Sequence, residues 1–348
     1  MKTASPSMPT TVFVTHSKAR PTCVGTIAVA MRVGIVDLGT NATRLLVADV
    51  EAGEVRALDW RLEITRLGEG VDSRRRLLPA AIARVRNVLV KYRHAADELG
   101  AERTLALATS AIRDAENGEA FLGELEWSFG FQTRLLSGNE EALLTFRGVA
   151  SGRTIAESTL VVDVGGGSTE LILGGPGGVS FHTSLDLGCV RLTERFLHGD
   201  PPTAAELEAC GAHVRQLLRE AVPPQINPTT ALGVAGTVTT LATLDLGLEE
   251  EVPELVHGHE LPAQRVDEFL GELGARPLSE LRELPGLHPE RAPVIVAGVV
   301  VVFEVLRHFG LDELEVSERD IMHGGALAAA ELSAPVEGDA PPGAYTCC

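Results

Sequence analysis

The amino-acid sequence predicts an α/β protein in which two domains of one plan flank a central cleft. Strand-like runs rich in β-branched residues alternate with helical segments over most of the chain, which is typical of α/β folds. A glycine-containing hairpin also occurs twice, since residues 36–47 align without gaps onto residues 162–173 with the same apolar pattern on both sides. A repeat at half the globular length indicates two similar domains, with a ligand in the cleft between them. A length of 348 residues fits this organisation.

The predicted first domain covers residues 31–156 and the predicted second domain covers residues 157–332. Residues 1–30 are rich in Thr, Ser and Pro and lack the compact apolar core of a signal peptide, so we predict a disordered extension there. Residues 333–348 are rich in Pro and Gly and are predicted to be a disordered tail. A closing helix over 317–332 is expected at the end of the second domain, where it could pack back on the first.

The composition limits the classes of function. Hydrophobic residues make up 45% of the chain and charged residues 22%, as in globular proteins with a sizeable core. A net charge of −18 argues against general binding to nucleic acids or anionic membranes, and 4% aromatic residues are too few for single-strand stacking platforms. The five cysteines show no zinc-ligand or redox spacing, which indicates reduced thiols and a cytoplasmic location. The most apolar run, residues 292–303, is shorter than a membrane span.

The first domain begins with one copy of the hairpin and continues with helices and strands in alternation. We predict strands over residues 32–37, 44–50, 103–108 and 129–135, and helices over residues 79–99 and 140–149. One face of the first helix is apolar at helical spacing, through Ile82, Val85, Leu89 and Tyr92. Ser137 and Glu140 have the spacing of a capping box, which predicts the start of the second helix.

The second domain repeats this plan. Strands are predicted on both sides of the second glycine turn and over residues 178–185, 230–234 and 314–317. Helices are predicted over residues 203–220, where Thr203 and Glu206 form another capping box, and over residues 291–307 and 317–332. A further helix opens at Ala235–Leu241 directly after a strand, and the free amides and hydroxyls of such a helix start favour an anion or a nucleotide.

The second hairpin, residues 161–173, carries the strongest chemical pattern. A β-branched run ends in Asp163, three glycines and two hydroxyl residues follow, and Glu170 begins the returning strand. We expect the glycines to reach positive φ and to let a ligand approach their N–H groups. A concave row of N–H donors binds anions, most often phosphate. Because carboxylates repel phosphate, Asp163 and Glu170 are expected to flank a hard cation such as Mg²⁺.

These motifs together resemble a known family. Paired Asp-x-Gly hairpins with a later Gly-Thr turn resemble the actin, sugar kinase and Hsp70 type of fold, which has ribonuclease H-like domains. Within that group the sequence is similar to the exopolyphosphatase and guanosine pentaphosphate phosphohydrolase (Ppx/GppA) family, in its short two-domain form. The matching motifs run in family order, at residues 37–41, 108–115, 136–142, 163–170, 187–196, 235–241 and 317–325.

The resemblance implies a catalytic base and a phosphate clamp. Glu141 matches the position expected to orient and deprotonate the attacking water. From the residues alone, a carboxylate in a first helical turn is explained by the macrodipole, worth ~0.3–1 kcal/mol, and that explanation suffices for Glu140. Arg113 is the expected clamp, because a guanidinium fork suits phosphate oxygens. Without the resemblance, a surface pairing of Arg113 with Asp114 or Glu116 would explain it equally well.

By the same resemblance Asp163 and Glu170 are the Mg²⁺ carboxylates, with Mn²⁺ as an alternative ion. Asp37 occupies the repeat-equivalent position of Asp163 and could join them through water. Arg44 stands in the first hairpin where Glu170 stands in the second. One hairpin is therefore expected to supply a carboxylate for metal and the other a guanidinium for phosphate.

Further phosphate ligands are expected at the hairpin tips and at the Gly-Thr turn. Arg191 resembles a substrate-channel arginine, although pairing with Glu194 would also explain it. The remaining expected phosphate-binding residues are Gly39, Thr40, Asn41, Gly165, Gly166, Gly167, Ser168, Thr169, Gly236 and Thr237.

The expected function is that of an exopolyphosphatase. Mg²⁺-dependent hydrolysis would remove the terminal phosphate of inorganic polyphosphate, with short chains favoured because the sequence ends soon after Leu332 and so resembles the short two-domain form of the family. Guanosine pentaphosphate 5′-phosphohydrolysis is the alternative that the same resemblance covers. An ATP-dependent kinase or a non-catalytic nucleotide-binding protein of the same fold are further alternatives. No nucleic-acid or membrane partner is expected, and the resemblance allows a homodimer.

Overall fold

The structure, a computed structural model, describes residues 30–332. The predicted tail over 333–348 lies outside the described residues, as does the predicted extension over 1–30 apart from its last residue. The described chain forms two mixed sheets, each covered by helices.

The first sheet contains the first hairpin and two parallel neighbours. Its strands are β1 (Met31–Leu38), β2 (Ala42–Glu51), β3 (Glu54–Ile64), β4 (Arg103–Ala108) and β5 (Gln132–Leu135). They lie in the order β3-β2-β1-β4-β5, antiparallel from β3 to β1 and parallel from β1 to β5. The accompanying helices are α1 (Val71–Arg74), α2 (Pro79–Glu98), α3 (Ser110–Arg113), α4 (Gly118–Phe129) and α5 (Gly138–Val149).

The second sheet repeats this order around the second hairpin. Its strands are β6 (Thr159–Val164), β7 (Thr169–Gly175), β8 (Gly178–Leu185), β9 (Thr230–Val234), β10 (Glu260–Pro262) and β11 (Glu313–Val316). The order β8-β7-β6-β9-β11 matches that of the first sheet, with β10 added at the end. The helices are α6 (Cys189–Phe196), α7 (Ala204–Ala221), α8 (Ala235–Asp245), α9 (Pro253–Val256), α10 (Ala263–Gly274), α11 (Leu278–Leu281), α12 (Ala292–Phe309) and α13 (Ile321–Glu331).

The predicted fold class, α/β with two halves of one plan, is confirmed by the two sheets of like strand order, and several element boundaries differ from the prediction. Strand β3 and helix α4 were not expected from the pattern, because β3 is a charged edge strand and α4 runs into the predicted strand over 129–135. That strand begins only at Gln132. The closing helix begins at Ile321 rather than at residue 317, since the Asp320 side chain accepts the Met322 N–H and caps it.

Helix α12 is the most apolar element of the described chain. Its 18 residues have a mean hydropathy of 1.9, so by length and composition alone it could cross a membrane. Within the fold, 67% of that stretch is buried, and its valines belong to the largest apolar cluster of the second sheet. The burial is that of a core helix, in agreement with the buried helix predicted over 291–307.

Helix α13 follows the last strand of the second sheet but packs on the first sheet. Its apolar residues join those of β1, β2 and β4 in one cluster. Gly148 of α5 and Gly324 of α13 allow the two helices to touch, since a Cβ at Gly324 would lie 1.9 Å from the Leu144 carbonyl oxygen. This close packing holds the start of α13 against the second half of α5, where Asp320 reaches Arg44 of the first hairpin.

Candidate active site

The two hairpins form the same turn. Gly39 N–H donates to the Ala42 carbonyl over 3.1 Å, and at the equivalent positions Gly165 N–H donates to the Ser168 carbonyl over 3.0 Å. In each hairpin the aspartate at the end of the first strand faces residue 44 or 170 across the antiparallel pair, so Asp37 faces Arg44 and Asp163 faces Glu170. The two hairpins therefore share the same strand register as well as the same sequence pattern.

The tip glycines are needed for close approach. The expectation that they reach positive φ is wrong, because Gly39, Gly165, Gly166 and Gly167 all lie outside the left-handed region. A Cβ at Gly166 would lie 2.9 Å from the Thr40 Cβ, and a Cβ at Gly167 would lie 2.4 Å from the Ser110 Oγ. The two tips thus meet across the cleft, where side chains at these glycines would separate them.

The carbonyl groups of the second tip anchor α6. Cys189 N–H donates to the Gly165 carbonyl over 3.0 Å, and Val190 N–H donates to the Gly166 carbonyl over 2.9 Å. These bonds satisfy N–H groups at the start of α6 that have no partner within the helix. The glycine loop is therefore held from behind, with its other side facing the cleft.

Helix α5 carries the predicted base. The capping box at Ser137 and Glu140 is present as predicted and fixes the start of the helix. Glu141 and Thr145 lie four residues apart and so share one face. Thr145 Oγ1 donates to Asp163 Oδ2 over 3.0 Å, which ties α5 to the second hairpin. Glu141 is 8% exposed and lines the cleft.

Arg113 contacts the predicted base. Its Nη1 lies 3.1 Å from Glu141 Oε2 and donates to the Leu136 carbonyl over 2.8 Å. In the structure Arg113 does not pair with Asp114 or Glu116. Arg113 therefore holds the Glu141 carboxylate at the cleft wall.

The carboxylates around the second hairpin repel one another in a buried setting. Burial raises the pKa of Glu141 to about 7 against the opposing effect of Arg113, and the Asp163 charge adds to the rise. Burial raises the pKa of Asp163 to about 6, with a further contribution from Asp320. The pKa of Glu170 is raised well above its ordinary value, first by burial and then by Glu141 and Asp163. Ser184 Oγ donates to Glu170 Oε1 over 2.6 Å.

In the first hairpin, Arg44 offsets part of the negative charge of the buried carboxylates. Arg44 Nε donates to Asp37 Oδ2 over 2.9 Å, and the same guanidinium pairs with Asp320 at the start of α13. Burial disfavours the charged form of Asp320, but Arg44 and His323 more than offset it and the pKa of Asp320 lies well below its ordinary value. The predicted phosphate ligand Arg44 lines the cleft with both carboxylates bound to it.

The cleft brings together most of the predicted residues. It contains about 1090 Å³ of empty space, including open solvent at its mouth. The predicted residues that line it are Asp37, Gly39, Thr40, Asn41, Arg44, Glu141, Asp163, Gly165, Gly166, Ser168, Gly236 and Thr237. Arg113, Gly167, Thr169, Glu170 and Arg191 lie behind the lining.

Arg191 and Thr169 have partners away from the cleft. Arg191 Nε donates to the Gly167 carbonyl over 2.7 Å, and its guanidinium pairs with Asp72 and Asp114 of the first half rather than with Glu194. Thr169 is fully buried and its Oγ1 donates to the Leu187 carbonyl over 2.8 Å. Both residues support the glycine loop from behind.

Several cleft residues were not assigned from the sequence. Arg291 donates to the Gly236 carbonyl over 2.7 Å and to Thr240 Oγ1 over 2.9 Å, which places a cation beside the Gly-Thr turn. Glu318 lines the cleft, and burial followed by repulsion from Glu251 raises its pKa to about 8. Glu318 and Asp320 lie inside the family motif at 317–325, so that motif could have identified them as site residues. Arg291 lies outside the motifs and reaches the site only through tertiary packing.

The carboxylates fit a hydrated divalent cation. Among residues 30–332 no group of three or more His, Cys, Asp or Glu side chains could by itself hold a metal ion. Mg²⁺ usually keeps several waters and takes one or two carboxylates together with substrate phosphates. Within the described chain Asp37 Oδ1 is buried in the cleft wall with no hydrogen-bond partner, beside the mutually repelling Asp163 and Glu170. A cation would bind the unpartnered Asp37 Oδ1 and would reduce the repulsion between Asp163 and Glu170.

Comparisons with known proteins agree with the site. A model of the Ppx/GppA phosphatase family matches residues 46–331. The chain is 39% identical over 319 residues to exopolyphosphatase 2 of Mycobacterium tuberculosis. This alignment covers 86% of this chain and 98% of that protein. It is 28% identical over 294 residues to a guanosine-5′-triphosphate,3′-diphosphate pyrophosphatase of Photobacterium profundum, covering 84% of this chain and 56% of that protein. The crystal structure of an exopolyphosphatase-like protein superimposes with a TM-score of 0.82 at 33% identity, over 86% of this chain and 97% of that chain.

The fold, the carboxylate-lined cleft and these relatives define a phosphoanhydride hydrolase. The chain belongs to the Ppx/GppA phosphatase family, as its motifs predicted.

Proposed function

We propose that this protein is an exopolyphosphatase that removes the terminal phosphate of short inorganic polyphosphates in a Mg²⁺-dependent reaction, with Glu141 activating the water. The observation that supports it most directly is the state of Glu141, which lines the cleft, pairs with Arg113 and has a pKa raised to about 7 by burial. A general base is most effective when its pKa lies near the working pH.

The side chains divide the work between the two hairpins. Glu141 accepts a proton from a water that it aims at the terminal phosphoryl group, while Arg113 fixes the orientation of its carboxylate. Gly166 offers a backbone N–H group and Ser168 a hydroxyl to the phosphoryl oxygens. Such catalysis is mainly positioning together with electrostatic stabilisation of charge on the transferred group.

Asp163 and Asp37, with Glu170 behind them, are the residues that would hold a divalent cation. When bound, that cation supplies positive charge to the terminal phosphoryl oxygens. Mg²⁺ is the proposed ion, with Mn²⁺ as the alternative.

The preference for short chains rests on the distribution of positive charge. Within the described chain Arg44 pairs with two carboxylates and Arg191 with three, so neither is free to form a basic track for a long polyanion. A net charge of −18 opposes such a track further.

The location and the second candidate substrate are also proposals. We propose a cytoplasmic location because of the cysteine pattern. We propose guanosine pentaphosphate as the second candidate substrate because the Photobacterium profundum relative is named for guanosine-5′-triphosphate,3′-diphosphate.

The neighbouring glutamates give a matched test of the base. Glu141→Gln should lower kcat by about 10²–10⁴-fold in a phosphate-release assay, because a general base contributes that much. Glu140→Gln is the control, since Glu140 is half-buried outside the cleft lining and glutamine preserves the capping box. Equal hydrolysis by Glu141→Gln and the wild type would remove Glu141 from the mechanism.

The substrate proposal is tested with a panel in parallel. Phosphate release is measured from tripolyphosphate, long-chain polyphosphate, guanosine pentaphosphate and ATP, each with Mg²⁺ and with EDTA. We expect tripolyphosphate to give the highest kcat/KM and EDTA to stop the reaction. Faster release from long-chain polyphosphate would contradict the short-chain proposal, and undiminished release in EDTA would contradict the metal proposal.

A further inference from the structure

The mouth of the cleft carries apolar surface that an inorganic phosphate chain cannot use. Trp60 and Leu62 of β3 line the cleft, and Trp60 is 44% exposed. Val294, at the start of α12, lines the same cavity from the second half and is partly exposed. Large apolar side chains left accessible in a ligand cleft usually contact an apolar part of the ligand.

The register of the first sheet places this surface relative to the phosphate site. Asp37 faces Arg44 across β1 and β2, and Arg44 faces Leu62 across β2 and β3. Trp60 and Leu62 are two residues apart, so they project from the same face of β3. Two strand spacings and one step of two residues put the Trp60 backbone roughly 12 Å from Asp37. That separation leaves room for phosphate units between the catalytic carboxylates and the indole ring.

One class of ligand would contact both the phosphate site and the apolar surface at Trp60. A nucleoside polyphosphate has an anionic end for the glycine amides and a flat aromatic base for an indole ring, and base stacking on an aromatic side chain is independent of hydrogen-bond readout. The low aromatic content argues against a platform for a nucleic-acid strand, but one base needs only one ring. Trp60 is suited to that task because the ring is exposed at the mouth and its strand is held by pairing to β2.

We propose that Trp60 is a specificity-determining residue that stacks the purine base of a nucleoside polyphosphate, with Leu62 on the same face of β3, and so decides how well the cleft distinguishes such a nucleotide from an inorganic chain. This inference rests on the proposed hydrolytic function and assigns a residue that selects between its two candidate substrates. The ring adds affinity for the base and contributes nothing to the reacting phosphoryl group.

Tryptophan fluorescence tests the contact without turnover. The chain contains only Trp60 and Trp127, and Trp127 lies on the exposed face of α4 away from the cleft lining. In the variant Glu141→Gln Trp127→Phe, Trp60 is the sole reporter. Guanosine 5′-triphosphate with Mg²⁺ should quench its emission saturably, whereas inorganic tripolyphosphate of the same phosphate number should not. Equal responses to the two probes, or no response to the nucleotide in a variant that binds tripolyphosphate, would overturn the proposal.

Kinetics separate stacking from a structural role. Trp60→Ala should lower kcat/KM for guanosine 5′-triphosphate relative to that for tripolyphosphate by roughly 5- to 100-fold through KM, the range expected for loss of one base–aromatic stack. Trp60→Phe should restore most of the ratio, and Trp127→Phe should leave it unchanged. A parallel fall for both substrates, or a Trp60 emission that depends on protein concentration, would assign Trp60 to packing or self-association instead. Absence of phosphate release from every substrate in the wild type would instead refute the proposed function itself.

Discussion

The two hairpins share a turn and a register and differ at one facing residue. Asp37 faces Arg44 in the first, and Asp163 faces Glu170 in the second. In the first hairpin the guanidinium binds Asp37 and also Asp320, so one cation offsets part of the charge of two buried carboxylates. In the second hairpin two buried carboxylates face each other and raise each other's pKa together with Glu141.

This difference shows how one repeated scaffold acquires two roles. The first hairpin contains its own cation, and this arginine also fixes the start of α13 through Asp320, while Asp37 Oδ1 has no partner within the described chain. The uncompensated hairpin carries negative charge that only a proton or a cation can balance. The sequence comparison of Arg44 with Glu170 predicts a phosphate ligand opposite a metal ligand, and in the structure Arg44 lines the cleft and is also the counter-ion of Asp37 and Asp320.

Removing the counter-ion from the first hairpin should have the largest effect. Arg44→Met leaves Asp37 and Asp320 buried without their cation, and breaking such a network costs about 3–5 kcal/mol of unfolding free energy. Urea denaturation measures the change. The control is Arg56→Met, because Arg56 is exposed in its ion pair with Asp49 and should cost less than about 1 kcal/mol. Similar losses for the two variants would mean that the first hairpin is not held by charge.

The second hairpin should respond in activity rather than in folding. Asp163→Asn removes a proposed metal carboxylate and should lower kcat/KM at least about 100-fold, since even indirect partners of metal sites cost 10–100-fold. Circular dichroism should show a folded protein, because one of the mutually repelling charges is gone. An unfolded Asp163→Asn protein, or one with wild-type activity and Mg²⁺ dependence, would contradict this division of roles.

The stability of the metal-free protein should depend on pH with a definite sign. Burial holds the pKa of Asp163 at about 6 and that of Glu141 at about 7, whereas in the unfolded chain both titrate near ~4. The folded state therefore binds more protons between these values, and its unfolding free energy should fall as the pH rises from about 4.5 to 7.5, by roughly 5 kcal/mol for the two groups together. Thermal unfolding in EDTA measures the fall.

Two changes should flatten that dependence. Mg²⁺ at the upper pH should raise the Tm, because it balances the ionised carboxylates and binds only the folded state. Glu170→Gln should reduce the fall in EDTA, as it removes a neighbouring charge. A metal-free Tm that rises steadily from pH 4.5 to 7.5 would show that the second hairpin is compensated after all.

The equivalent turn glycines give the smallest and most closely matched comparison. A Cβ at Gly39 would lie 2.8 Å from the Ala42 carbonyl oxygen, and a Cβ at Gly165 would lie 3.1 Å from the Ser168 carbonyl oxygen. Gly39→Ala should therefore destabilise the protein by about 2 kcal/mol and Gly165→Ala by about 1 kcal/mol, within the range for overpacking. The reverse order in urea denaturation would show that the first turn yields more easily than the second.

The sequence by itself determined the repeat, the fold class and the position of the proposed base. Local patterns were enough, because the strand–turn–strand alternation, the Ser137 and Glu140 capping box and the family motifs each depend on residues close together in the chain. The same locality led to errors at β3 and α4, whose charged or mixed patterns carry little periodicity.

Only the tertiary structure decided which charges meet. Asp320 reaches Arg44 from 276 residues away, and Arg191 binds Asp72 and Asp114 instead of the nearby Glu194. Trp60 lines the cleft because β3 pairs beside the hairpin, which its own edge-strand sequence does not predict. Ion pairing and burial depend on distances in space, and a pattern along the chain fixes those distances only within one turn of helix or one hairpin.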